Sequence, residues 1–321
     1  MAWFDVPDFE QLDPLHFDRA LLHVTQSWVR GRRRLRSGAE FDVAPFDLAP
    51  WVASRTAFDA VSALPAQNPL REPLLRWVFR LLEERVNWTA RIEWERTRRE
   101  AAYGVDSGEG RIALTLAAMV RRLLNDPGRE THWIRTMVAH AGEAGGRRTL
   151  LWQRRAEVAR RLKLDPVDPF GMAHGAEMAA RDWLRRTDEL FDELGVGGPS
   201  DWLSFATARA AADGWPARIT PATLQGLLGE RGLCARVEID PGPLPAALAP
   251  ASFVRSFARI GAALRDARAP KDQPFCIAHD ASGFTRLCFG ALFAHVPLLV
   301  SFQQRKLDVP RTALRDRFRN L

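Results

Sequence analysis

A chain of 321 residues with 46% apolar side chains can bury a core in one large domain or two ordinary ones. Its charged fraction of 26% is that of a soluble globular protein, and collagen-like, low-complexity and wholly disordered classes are excluded. Lys and Arg total 46, of which only Lys163, Lys271 and Lys306 are lysine, so 43 are arginine; against 39 acids the net charge is +7.

That surplus admits nucleic acid or another polyanion as a partner. Yet Arg and Glu alternate, as in Arg91-Ile92-Glu93-Trp94-Glu95-Arg96, and such mixing suits a solvated helix face with i,i+4 pairs. No run approaches 18 apolar residues, so no membrane span is expected. Cys234, Cys276 and Cys288 are odd in number and form no CxxC, which argues against a disulfide framework. The stretch from Met1 to Asp8 lacks the basic and apolar regions of a secretory signal. A cytoplasmic protein is expected.

In chain order, Asp13-Pro14 is an N-cap followed by Pro at the first helical position, and Gly31 reads as that helix's stop. Residues 32–44 then read as a basic connector. A helix follows from Pro50 to about Leu64. The strongest element spans about 72–103, where Leu74, Leu75, Val78, Leu81, Leu82, Val86 and Ile92 recur at three and four. Its length marks it as a spine for other helices. Further helices are expected at 111–125, 130–143, 148–163, 169–194 and 200–213, with Gly145-Gly146 among the boundaries, and a short one begins at Thr220-Pro221.

The pattern then changes. Leu233 to Ile239 alternates with period two and reads as a strand. A helix at about 251–267 and a second extended run, Pro274 to Ala278, follow. Helices at 284–304, bent near Pro297, and 310–320 complete the chain. Arg311 to Leu321 carries no stop signal, which fits a chain that continues as well as a fraying end. The expected fold is mainly α: an irregular multi-helix array around the 72–103 helix, with a small two-stranded β element in the C-terminal third. Residues 1–214 would form a helical domain and 233–321 a smaller α/β-like part, with a soft boundary at 214–232 and a single domain as the alternative.

Four groups of residues carry candidate chemistry. If the two expected strands pair in parallel around their helix, Asp240, His279 and Asp280 sit at strand C-terminal ends, where open α/β sheets place ligands. His279 would then face Asp240 while Asp280 caps the next helix. Ser282, Gly283 and Arg286 would supply anion-binding groups beside them. His140 with Glu143, and His174 with Glu177, are His-x-x-Glu spacings that direct two ligands from one helix at a metal, in the reverse order to di-iron bundles. Gly142 and Gly175 weaken both helices at those points. Arg32, Arg33 and Arg34 form the densest basic cluster, and Trp77, Trp88 and Trp94 share the long helix with many arginines, a mixture that suits interfaces, stacking on single-stranded nucleic acid, or packing of Trp under Arg stems.

No complete catalytic string is present: His-Glu-x-x-His, the glycine-rich nucleotide loops and G-x-S-x-G are all missing. The leading expectation is therefore a cytoplasmic helical binding or scaffold protein without catalysis, with a protein partner and no cofactor. One alternative is an enzyme, metal-dependent or not, acting on an anionic substrate at Asp240, His279 and Asp280. The other is nucleic-acid binding through the arginine-rich connector.

Overall fold

The computed structural model describes residues 6–37, 45–106, 110–115, 118–119, 122, 129–170, 181–182, 184–186, 189, 223–224, 226–227 and 250–310. The fold is mainly α, with one small two-stranded antiparallel sheet among the described residues. The chain divides into two compact units, Met1–Trp202 with Pro274–Ile277, and Leu203–Gln273 with Ala278–Leu321. The expected boundary window, 214–232, lies almost wholly outside the described residues.

In the first unit, α1 (Pro14–Ser37) begins where Asp13 Oδ1 accepts the Leu15 amide at 3.0 Å. Phe17, Leu21, Val24, Trp28 and Leu35 lie buried on its inner face at helical spacing. Gly31 does not stop this helix, and Arg32, Arg33 and Arg34 lie on it rather than in a connector. The physical reason is close packing: a Cβ at Gly31 would stand 2.8 Å from Pro45 Cγ and 3.3 Å from the Trp88 ring. The glycine lets two elements approach inside a helix whose buried face outweighs its low propensity.

Ser54 caps α2 (Arg55–Ala63) by accepting the Ala57 amide at 3.0 Å. The spine is α3 (Arg71–Glu100), and α1, α2 and a later helix, α4 (Glu130–Arg161), all pack on it. Burial on several sides explains why Trp77, Val78 and Phe79 are buried in succession. At Ala101 the backbone becomes extended and enters β1 (Ala102–Asp106), paired with β2 (Arg111–Thr115) from Ala102↔Thr115 to Asp106↔Arg111.

The β element thus lies at 102–115, where 111–115 had the look of a helix start. Pro274–Ala278, expected to be extended, contains one helical turn, α6 (Phe275–Ala278), and 233–239 lies outside the described residues. Helices expected at 130–143 and 148–163 are one helix, α4. Added Cβ atoms at Gly145 and Gly146 would meet nothing within 4 Å, so the pair sits on an open face. The roughly 1 kcal/mol that each glycine costs is offset by packing on either side, where Trp133, Ile134, Leu151 and Val158 are buried.

In the second unit α5 (Pro250–Ala267) packs along α7 (Phe284–Ala294), and α8 (Val300–Leu307) follows a 3₁₀ turn at Val296–Leu298. Leu224, Phe257, Ile260, Leu307 and Val309 form its core, with the Phe257 and Phe302 rings edge to face at 5.5 Å. The two main helices cross at glycines. A Cβ at Gly261 would stand 2.4 Å from the Phe289 carbonyl oxygen, and one at Gly290 would stand 3.0 Å from the Ala258 carbonyl oxygen. No described helix is long and apolar enough to cross a membrane.

Candidate functional site

In the first unit the buried carboxylates of α3 are engaged by neighbouring side chains. Glu84 is fully buried on α3, and its carboxylate accepts from Trp28 Nε1 at 3.2 Å and Arg91 at 2.9 Å, with Arg80 at 3.2 Å and Arg32 at 3.8 Å. Arg32 and Arg80 also lie over the Trp28 ring, at 5.5 and 5.6 Å from its centre. Glu83 pairs with Arg80 at 3.5 Å and Arg155 at 3.4 Å. Burial raises the Glu83 carboxyl above its ordinary value; Arg80 opposes this, Glu84 adds to it, and Arg155 and Arg91 oppose it. Arg85 donates to the Pro50 and Ala53 carbonyls at 2.7 and 3.0 Å. Trp77 and Trp88 are buried. Trp77, Trp88, Arg80, Arg85 and Arg91 of the long helix thus act in packing and pairing inside the unit, and Arg32 of α1 is one of those internal partners.

Cys276 lies in the same unit, where Asp18, itself buried, accepts the Phe275 amide at 2.6 Å and the Cys276 amide at 2.8 Å. Burial pushes the Cys276 thiol far up, and the neighbouring Asp18 carboxylate pushes it further, the reverse of what a nucleophile requires.

Of the expected metal ligands, only His140 has a described side chain. The His140 ring stacks on Tyr103 with centres 4.5 Å apart. The Glu143 side chain, His174 and Glu177 lie outside the described residues. Among the described residues, no group of three or more His, Cys, Asp or Glu is placed to hold a metal ion.

In the second unit Asp280 caps α7. Its Oδ1 accepts the Ser282 amide at 2.8 Å and its Oδ2 accepts the Thr285 amide at 3.2 Å, while Ser282 Oγ donates to Oδ1 at 2.7 Å and accepts the Phe284 amide at 3.1 Å. Gly283 between them takes φ 74°, a left-handed turn that suits glycine. Burial acts to raise the Asp280 carboxyl, but the donors from Ser282, Thr285 and Phe284 prevail and hold it below its ordinary value. The amides that the sequence offered to an external anion, at Ser282 and the start of α7, are taken by this internal turn.

Asp240 lies outside the described residues, so the expected His279–Asp240 pair has no observed geometry. His279 Nδ1 instead stands 4.0 Å from Asp266 Oδ1, beyond a hydrogen bond, and Arg286 Nε stands 3.0 Å from Asp266 Oδ2. Burial raises the Asp266 carboxyl above its ordinary value, opposed by Arg286, then His279 and Arg265. Asp266 was missed in the sequence because nothing in the spacing joins residue 266 to residues 279 and 286; the α5–α7 pairing does.

Among the described residues of the second unit, α7 leaves an apolar face open. Helix α7 reads Phe-Thr-Arg-Leu-Cys-Phe-Gly-Ala-Leu-Phe-Ala, apolar on nearly every side. Gly290 turns toward α5, but Phe284 is 59%, Leu287 70% and Leu292 63% exposed, with Leu299 and Val300 exposed beyond. A helix apolar all round ordinarily lies inside a protein. One edge of this face runs into a trough of about 480 Å³ between α5 and α7, walled by Leu264, Pro270, Phe289 and Phe293, with Arg265 and Arg268 along its α5 side. The sequence at 284–304 announces an apolar helix, but not whether that helix is covered. No family model, curated protein or solved structure matches this chain.

Proposed function

We propose that this chain is a helical protein-binding module without a catalytic role, acting in the cytoplasm, and that its contact surface is the exposed apolar face of α7. The observation that carries the reading is the exposure of Phe284, Leu287 and Leu292 on one short helix. Contiguous apolar surface of that kind marks interaction sites. The reading draws further support from the chemistry of the alternatives. Asp280 spends its lone pairs on capping α7, and the buried Glu83 and Glu84 of the long helix are engaged by arginines. Cys276 and Cys288 are free thiols, in keeping with a reducing compartment.

Cys288 provides the test, since it is exposed on the same face while Cys276 is buried. A photoreactive maleimide attached at Cys288, in a Cys234→Ser background, is irradiated in lysate of cells that make the protein. The expected result is one stoichiometric protein adduct that disappears in the Leu287→Glu and Leu292→Glu variants. Adducts that form equally with wild type and both variants would sink the reading.

A further inference from the structure

We infer that the α5–α7 trough receives an acidic amphipathic helix of a partner protein, its apolar side seated on Phe289 and Phe293 and its carboxylates meeting Arg265 and Arg268. The inference rests on the protein-binding reading above and deepens it by naming the chemistry of the occupant.

Three observations lead to it. The trough is walled by apolar side chains of two packed helices, the geometry in which a third helix lies lengthwise. Its apolar wall does not end at the trough. Phe289 is shared with the exposed face, and Leu292 lies one turn beyond it on the same helix, so the occupant presents an extended apolar stripe rather than a compact ligand. The charged residues that line the trough are Arg265 and Arg268, one turn apart on its α5 side; Arg265 also acts through space on Asp266. Asp266 between them is engaged by Arg286 at 3.0 Å. Guanidinium groups bordering an apolar wall select carboxylates flanking an apolar stripe, since a basic stripe there would meet like charge.

The test uses the full chain and three fluorescent peptides of about 16 residues that share one leucine stripe at i, i+3, i+4 and i+7 and carry Glu, Gln or Lys elsewhere. Fluorescence anisotropy is expected to give saturable binding of the Glu peptide, about tenfold tighter than the Lys peptide at low salt, with the margin shrinking as salt rises. The Arg265→Glu/Arg268→Glu variant, shown by circular dichroism to keep its helix content, is expected to invert the preference toward the Lys peptide. That inversion is a result a merely misfolded variant would not give.

Equal binding of all three peptides would overturn the acidic partner while leaving a protein-binding face in place. Crosslinking at Cys288 that persists unchanged in Leu287→Glu would remove the reading beneath it. A fluorescent long-chain fatty acid that binds wild type stoichiometrically and displaces the Glu peptide would assign the trough to a small amphipathic anion and overturn the inference. So would adsorption of the chain to anionic vesicles through Leu287 with no binding of any peptide, which would assign the apolar face to a lipid surface.

Discussion

Asp18 and Cys276 stand 258 positions apart in the chain, yet the Asp18 carboxylate accepts the Cys276 amide at 2.8 Å from a buried position on α1. With the Phe275 amide at 2.6 Å, the pair ties the turn at 275 to the N-terminal helix by two charge-assisted bonds, beside the Trp77–Phe275 ring contact at 4.9 Å.

Replacing Asp18 by Ala strands two amides and removes the carboxylate beside the thiol. The expected cost is about 2–4 kcal/mol in urea unfolding, on the scale of buried donors left without partners. In the folded wild type, exposed Cys288 is expected to react with a thiol reagent while buried Cys276 lags far behind. In Asp18→Ala that lag shortens. An unchanged midpoint together with an unchanged Cys276 labelling rate would show that the contact carries no weight.

Glycines in this chain make opposite predictions according to what surrounds them. At Gly261 a methyl would meet the Phe289 carbonyl at 2.4 Å and Phe293 Cβ at 2.7 Å, atoms that move only if α5 and α7 separate. Gly261→Ala is expected to destabilise by about 1–3 kcal/mol despite the better helix propensity of alanine. At Gly145 and Gly146 the space is open, and Ala at either is expected to stabilise by about 0.5–1 kcal/mol. Thermal unfolding of the three single variants separates the cases, and a common sign would contradict the packing described.

The same glycines show where the sequence could be read and where it could not. Leu74, Val78 and Leu81 recur at helical spacing and announce the long helix directly, because periodicity reports burial along one element. Gly31 and Gly145-Gly146 look like stops, since propensity is local; what carries the helix past them is packing against Trp88 in one case and buried flanks in the other. The hairpin at 102–115 was hidden for a related reason: Tyr103 and Val105 alternate, but for too few residues to stand out from the helix before them. The candidate site divides the same way. Asp280 as a cap follows from Asp-x-Ser-Gly before a helix. The engagement of Asp266 by Arg286, and of Glu84 by Trp28 and Arg32 of α1, depends on which helices meet, and no spacing within one helix reveals that. Exposure of α7 was illegible because an apolar helix looks the same in sequence whether its own chain or a partner covers it.

The last prediction concerns Glu83, whose carboxyl burial raises above its ordinary value. An acid that holds its proton more tightly when folded binds more protons in the native than in the unfolded state. By linkage, stability then falls as pH rises through the unfolded carboxylate range toward the folded value, and levels off above it. Glu83→Gln keeps the shape and a hydrogen-bonding group for Arg80 and Arg155 but does not titrate. The difference in unfolding free energy, variant minus wild type, is therefore expected to increase with pH from the ordinary glutamate range upward, with a slope of at most about 1.4 kcal/mol per pH unit, and then to plateau. Urea melts of both proteins at several pH values between acid and neutral measure it. A difference that is flat, or that falls as pH rises, would mean that the arginines around Glu83 outweigh its burial.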